Sequence, residues 1–315
     1  MSLDAAAPPA QQGDSLRGFA FAFGAYFLWG FLPLYMKAVA HISPTEVLAH
    51  RVIWSAPLAA ALLYALGRMS DLKAALRDRR MLAMASLTAA LIAVNWGIYI
   101  WAIANDRALD AALGYFINPL FSIFLGAVLL REKLQPLQIA ALGCAAAGVA
   151  LLTWEGGGLP WTALALTFSW GFYAFFRKTL PIGPNQGFLL EVLILLPLAT
   201  AYVVWLEATG RGHLLAGGTW GDFWLLLASG VATAVPLILY GNGAKLLRLS
   251  TIGIMQYIAP TMIFLLAIFV FKEPFSRERF FAFALIWAAL VLYSLPMLRD
   301  FARRRAERPP PPSSA

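Results

Sequence analysis

The sequence predicts an all-α integral membrane protein with ten transmembrane helices arranged as two inverted five-helix repeats. Three observations carry this expectation. Of 315 residues, 61% are hydrophobic and 13% charged, and the mean hydropathy is +0.72, well above the roughly 45–50% apolar content of soluble domains. The apolar residues arrive in runs of about 20, the length at which a helix crosses a hydrocarbon core of roughly 30 Å. Finally, a single offset of 141 residues lays the first half of the chain on the second without a gap.

In order, the spans are 18–37, 46–67, 81–104, 111–130 and 136–154, then 160–177, 187–206, 222–243, 250–271 and 280–298, each bounded by charges or by Gly and Pro clusters. The longest loops, 68–80 and 207–221, are too short to hold a separate domain. Any function therefore belongs among the helices.

Lys and Arg assign the sides. The end holding the N-terminus collects 17: Arg17, then Arg68, Lys73, Arg77, Arg79 and Arg80, then Arg131 and Lys133, then Arg177 and Lys178, then Lys245 and Arg248, then Arg299, Arg303, Arg304, Arg305 and Arg308. The other end collects 6, namely Lys37, Arg107, Arg211, Lys272, Arg277 and Arg279, and Arg51 alone lies within a span. This bias predicts that both termini are cytoplasmic. Trp154, Trp161, Trp205 and Trp220 fall beside the opposite loops, where an interfacial aromatic belt is expected.

The net charge of +8 follows from the same bias, since the basic residues flank apolar runs rather than forming a nucleic-acid-binding domain. Residues 1–17 form an N-terminal tail whose first 16 residues contain two acids and no basic residue, so the first span is expected to be retained rather than cleaved as a signal peptide. Residues 299–315 are basic and then Pro-rich, which predicts a disordered cytoplasmic tail. The single cysteine, Cys144, lies in an apolar run and reads as a small packing residue.

At the 141-residue offset, FLWGFLPLYMK (27–37) falls on FSWGFYAFFRK (168–178), pairing Phe27 with Phe168, Trp29 with Trp170, Gly30 with Gly171, Phe31 with Phe172 and Lys37 with Lys178. The same offset pairs Tyr99 with Tyr240, Arg107 with Arg248, Ile117 with Ile258, Pro119 with Pro260 and Glu132 with Glu273. Repeat 1 covers 18–154 and repeat 2 covers 160–298. With five helices per repeat, an odd number, the second copy enters the membrane from the opposite side. Inverted repeats give many secondary transporters two alternative packings, one open to each side, around a site near the midplane. The expected activity is therefore alternating-access movement of a small molecule.

The residues also resemble a family. The double repeat, the helix ending NPLFSIFLGAVLLREKLQPLQIAALGCAAAGVALL and its counterpart APTMIFLLAIFVFKEPF look like the EamA repeats of the drug/metabolite transporter (DMT) superfamily. FLWGFLPLYMK, SPTEVLAHRVIWS and NWGIYIWA followed by LGYFINPL are similar to its RarD-type branch, described as chloramphenicol-sensitivity permeases. The resemblance spans roughly residues 18 to 298. It implies a ten-helix inner-membrane carrier in which spans 1–4 and 6–9 line the cavity and spans 5 and 10 pack outside it. It also implies a small metabolite, an amino-acid-like compound or an amphipathic drug such as chloramphenicol as substrate.

Charged groups within spans are costly, so they are functional candidates. His50 and Arg51 could recognise an anionic group or a proton, or Arg51 could snorkel or pair with Glu46. Glu191 is the repeat counterpart of His50, and the two are candidates for proton coupling, although Glu191 could instead lie in the cytoplasmic headgroup zone. Tyr115, Asn118 and Ser122 in the fourth span, and Gln256 and Tyr257 in the ninth, flank Pro119 and Pro260, prolines that break helices and free carbonyls. Asn95 and Tyr99 share one face of the third span, and Tyr26, Gly30 and Pro33 one face of the first. With Trp29, Trp170, Tyr173 and Tyr240 they could form an aromatic cavity, or serve plain packing. Glu132 and Glu273 end the fourth and ninth spans and read as capping, pairing or gating groups. Gly143, Cys144, Ala147 and Gly148 make a small-xxx-small pattern in the fifth span, fit for helix packing or a homodimer.

No H-E-x-x-H, no G-x-S-x-G and no pair of aspartates within the spans is present, and the histidines stand apart at 41, 50 and 213, so no enzyme, metal or cofactor is expected. The expected partners are a small-molecule substrate and the lipid bilayer, not nucleic acid. The competing expectation is a membrane receptor or regulatory protein that binds a ligand in the same cavity without moving it.

Overall fold

The computed structural model describes residues 15–129, 134, 136–156, 158–244, 246–247 and 255–306. Along them run α1 (Leu16–Ala38), α2 (Pro44–Ala65), α3 (Met69–Ala75), α4 (Arg79–Ala104), α5 (Ala108–Leu129), α6 (Pro136–Gly156), α7 (Trp161–Thr179), α8 (Pro184–Ala208), α9 (Trp220–Ala244), α10 (Ile258–Leu265) and α11 (Arg277–Ala306). A π-helical turn at Leu266–Val270 continues α10. No strand occurs among the described residues. By length and composition, α1, α2, α4, α6, α8, α9 and α11 can each cross a membrane, and Ile258–Val270 is a shorter apolar helix.

Local chemistry sets where helices begin. The Ser15 hydroxyl accepts from the Gly18 N–H at 2.9 Å to cap α1, and the Asp78 carboxylate accepts from the Arg80 and Met81 N–H groups to cap α4. Pro44 and Pro184 open α2 and α8, where the missing N–H costs nothing. Two departures from the expected spans have physical causes. Residues 68–80, expected as a loop, contain α3, whose Leu72 and Ala75 are buried against α8. Asp71 of α3 also accepts from the Gln186 side chain at 3.0 Å. The ninth span is described only from residue 255, and Pro260 lies in the first turn of α10 rather than within a continuous helix, whereas Pro119 lies inside unbroken α5.

The end of the bundle at which α1 starts is here termed proximal, and the other end distal. Five kinds of pairing build the bundle: α1 on α9 and α10, α2 on α8 and α9, α7 on α4 and α5, α5 on α10, and α6 on α11. The α6–α11 pair packs at the side, with Gly148 facing Ala282 and Ile286. The main apolar core is distal, joining Met36, Ile100, Ile103, Leu109, Leu113, Leu166, Ile263 and Phe283. Proximally, smaller clusters gather Leu63, Leu72, Leu180 and Leu190, and Ala22, Tyr26, Leu247 and Met255. Outward faces are apolar too: Phe19, Phe23, Phe27 and Phe31 form an exposed ladder on α1, the first three rings stacked in turn and Phe31 edge-on to Phe27, as a lipid solvent allows. Trp154, Trp161, Trp205 and Trp220 are all exposed.

Candidate functional site

A cavity of about 370 Å³ occupies the proximal half, walled by α1, α2, α7, α8 and α9. Trp29, Trp170, Tyr173 and Tyr240 line it, as do Arg177, Asn185 and Phe188. Helical spacing explains the α7 wall, because residues 170, 173, 174 and 177 share one face. Trp29 packs against Tyr240 with ring centroids 5.6 Å apart, and Trp170 against Tyr173 at the same separation. Tyr26 supports this wall edge-on to both Trp29 and Tyr240. A larger hollow of about 940 Å³ between α5 and α6 is an apolar, open groove lined by Phe121, Phe124, Val149 and Trp154, with no charged group in its walls. Its chemistry suits acyl chains rather than a polar solute.

Glu191, on α8, is 2% exposed. Its carboxylate lies 3.2 Å from the Arg177 Nε and accepts from the Tyr173 hydroxyl at 3.2 Å. Glu191 is thus a buried, ion-paired group whose partners Arg177 and Tyr173 line the cavity. Arg177 was legible in sequence only as one more basic residue at a span end; its place on the Trp170–Tyr173 face was the available signal.

One layer distal to the cavity, Arg51 is 3% exposed. Its Nε donates to the Thr233 hydroxyl at 2.9 Å and its guanidinium lies 4.7 Å from the Trp96 ring centroid, a cation–π arrangement. Arg51 does not pair with Glu46. That carboxylate is bound by the backbone N–H of His213 at 2.7 Å and lies 2.8 Å from the His213 Nδ1. His50 Nδ1 accepts from the Trp54 indole at 3.2 Å, and its Nε2 is buried without a partner. Asn95 donates to the Leu166 carbonyl at 3.1 Å and the Ser169 hydroxyl at 2.9 Å, and the Tyr115 hydroxyl donates to its Oδ1 at 3.4 Å. Tyr115 stands edge-on to Trp170 at 6.4 Å and beside Tyr99 at 5.8 Å, so this layer connects with the cavity wall.

The remaining candidates lie apart. Asn118 is buried on α5 with its Oδ1 unpartnered, and the Tyr257 hydroxyl is likewise buried and unpartnered. Gln256 is half-buried just ahead of α10, and none of these three lines the described cavity. Glu132 lies outside the described residues.

Polar clasps join helix ends at the distal end. Glu273 accepts from the Ala108 and Leu109 N–H groups at 2.7 and 2.9 Å, capping α5 from the far half of the chain. Lys272, just before it, holds a left-handed backbone (φ 57°) that turns the chain onto that helix end. Burial pushes the Glu273 carboxyl above the ordinary glutamate range, with the two N–H donors opposing. His41 Nε2 lies 2.7 Å from Asp222, the Thr45 and Tyr202 hydroxyls 2.8 Å apart, and Lys37 pairs with Asp106. Apart from Lys37 and Glu273, these groups were not singled out in the sequence, because each pairs with a residue far away in the chain, His41–Asp222 and Thr45–Tyr202 across 181 and 157 residues and Lys37–Asp106 across 69. Among the described residues, no group of His, Cys, Asp and Glu is arranged to hold a metal.

Known proteins match this architecture. The pattern of the EamA-like transporter family matches residues 16–154. An uncharacterized transporter of Vibrio cholerae is 40% identical over 296 residues, covering 94% of this chain and 98% of that protein. Protein RarD of Escherichia coli is 37% identical over 292 residues, 93% of this chain and 98% of its own. The chloramphenicol-sensitive protein RarD of Pseudomonas aeruginosa is 33% identical, covering 91% and 98%. A solved crystal structure 20% identical in sequence superposes with a TM-score of 0.58 over 92% of this chain and 99% of that one, a likeness of fold. With its apolar helices, the chain is a multi-pass membrane transporter, and it belongs to the RarD-type branch of the EamA drug/metabolite transporter superfamily.

Proposed function

We propose that the protein is a secondary carrier of ten transmembrane helices, built as inverted repeats 18–154 and 160–298, that moves a small amphipathic metabolite across the bacterial inner membrane by alternating access. Both termini, including tails 1–17 and 299–315, are cytoplasmic, so the proximal cavity opens inward and the distal clasps close the periplasmic side. The observation that carries the reading is the cavity itself. Trp29 and Trp170, 141 residues apart, face one another's repeat across it.

Helix packing supports the inverted repeat. Exchanging each helix for its counterpart turns the α1–α9 contact into α7–α4 and the α1–α10 contact into α7–α5, and leaves α2–α8, α5–α10 and α6–α11 as themselves. Single residues obey the same exchange: Gly30 abuts Met262 and Gly171 abuts Phe121, a pair of contacts related by 141 residues at both ends. Such an architecture has two packings of similar energy by construction.

In this reading Trp29, Trp170, Tyr173 and Tyr240 contact substrate, and Tyr26 backs them. Asn95, Tyr99, Tyr115, Arg51 and His50 form the layer met next, and Asn118, Gln256 and Tyr257 belong to the opposite conformation. His50 and Glu191 couple movement to protons, Pro119 and Pro260 set the bends, and Glu132 and Glu273 secure the two gates. An amino-acid-like compound or a drug such as chloramphenicol fits aromatic walls with a few polar anchors; the name of the Pseudomonas aeruginosa relative supports the latter.

The test compares metabolites inside and outside cells with and without the chain, then measures counterflow of the responding compound in proteoliposomes. Saturable counterflow is expected. Ligand binding without flux overturns the carrier in favour of a receptor.

A further inference from the structure

The buried arginine layer leaves one guanidinium nitrogen and one hydroxyl without hydrogen-bond partners. The Arg51 Nη1 has no partner, and neither does the Tyr99 hydroxyl, which lies within electrostatic reach of the guanidinium together with Tyr35 and Tyr115. The groups around the guanidinium that the contacts identify are uncharged. The Tyr35 hydroxyl donates to the Leu225 carbonyl at 2.6 Å, Thr233 offers one hydroxyl oxygen to Nε, and Trp96 offers only a π-face. None of the described ion pairs includes Arg51. Glu46, five residues earlier on the same helix, is held by His213. Native interiors rarely leave a buried cation without a counter-charge or a buried donor without an acceptor, because desolvation is then uncompensated. Where they do, a ligand is the natural partner.

We propose that Arg51 and Tyr99 form a carboxylate-binding subsite for an organic acid. Residue 51 is two helical turns from the distal start of α2, so the subsite lies between the proximal cavity and the distal clasps. Tyr115, standing between Tyr99 and Trp170, connects the two chambers. An amphipathic acid fits both: its apolar body rests on the tryptophan and tyrosine walls while its carboxylate takes the two vacant donors in a charge-assisted pair. Trp96 over the guanidinium fixes the plane of the fork. Arg177, by contrast, is already paired with Glu191, so the two cations are not equivalent stations. The inference deepens the carrier reading and rests on it for the claim that the bound acid is cargo.

The experiment uses the purified full-length chain and two matched probes, 3-phenylpropionate and 3-phenylpropionamide, with binding read from intrinsic tryptophan fluorescence and thermal unfolding at fixed chloride. The wild type is expected to bind the carboxylate about tenfold more tightly than the amide. Arg51→Gln should bring that ratio to about one, and Arg51→Lys should retain part of it. Tyr99→Phe keeps the ring and the packing and removes one donor, so it should weaken the acid and leave the amide unchanged. Because it deletes only a hydroxyl, it tests the subsite even if the arginine variants fail to fold. The proposal is overturned if the wild type does not prefer the acid, if a folded Arg51→Gln keeps the preference, or if Tyr99→Phe weakens both probes alike. Counterflow of radiolabelled 3-phenylpropionate separates the two readings. Preference without flux removes the carrier and leaves the subsite, whereas flux indifferent to Arg51 and Tyr99 removes the subsite and leaves the carrier.

Discussion

Glu191 and Arg51 are both buried at 2–3% exposure, yet only Glu191 has a charged partner. The difference governs what their replacement should do. Glu191→Gln keeps the shape and removes the counter-charge of Arg177, so it tests the proton role directly. An imposed pH gradient should no longer raise accumulation above the no-gradient level, while counterflow persists; undiminished gradient-driven flux sinks the role. Trp170→Ala removes an aromatic wall and should raise the half-saturation concentration about tenfold, since one aromatic contact is worth roughly 0.5–1.5 kcal/mol beyond its buried area. Arg51 was legible in the sequence because it is the one Lys or Arg away from the ends of the spans. The identity of its neighbours was not. Thr233 and Trp96 come from helices 182 and 45 residues away, and nothing in a linear pattern says that Glu46 turns to His213 instead.

Helix ends and helix crossings respond to different substitutions. Glu273 supplies both acceptors for the first turn of α5, so Glu273→Ala should destabilise the fold by about 1–2 kcal/mol, with Glu273→Gln milder; equal unfolding temperatures for wild type and Glu273→Ala would refute a structural cap. Gly30 lets α1 approach α10: a Cβ there would stand 2.7 Å from the Met262 Cβ, so Gly30→Ala must separate the helices. The expected loss is about 1–3 kcal/mol, read as a lower unfolding temperature. The 141-residue register exposed Gly30 and Gly171 as equivalent, but not what either touches. Helix α3 escaped for another reason: a two-turn amphipathic helix inside a charged loop looks like a loop until α8 covers its Leu72. The equivalence of Pro119 and Pro260 holds in register and not in local geometry, since one lies within a helix and the other opens one.

At the scale of the whole molecule, the apolar core and the polar clasps are both concentrated distally, and the cavity is proximal. The proposed alternating access would require the distal contacts to part. Cysteines at Thr45 and Tyr202, introduced with Cys144→Ser and bridged by a short bifunctional methanethiosulfonate, should stop flux, and reductant should restore it. Full flux in the bridged protein excludes distal opening as a step. The all-helical, membrane-spanning architecture was the most legible level, because the length and apolarity of the runs are properties of many residues at once. The clasps were the least legible, because each is a single pair.

The His41–Asp222, Glu46–His213, Lys37–Asp106 and Glu273–α5 contacts carry a kinetic consequence for the unloaded carrier. Under the proposed alternating access, each would bias the resting equilibrium toward a proximally open state, and a ligand approaching from the distal side would meet only the fraction of molecules in which all have parted. Apparent affinity falls in proportion to that fraction. Vesicles of opposite orientation should therefore give unequal half-saturation concentrations for the same solute, and the inequality should shrink as the clasps are removed one by one.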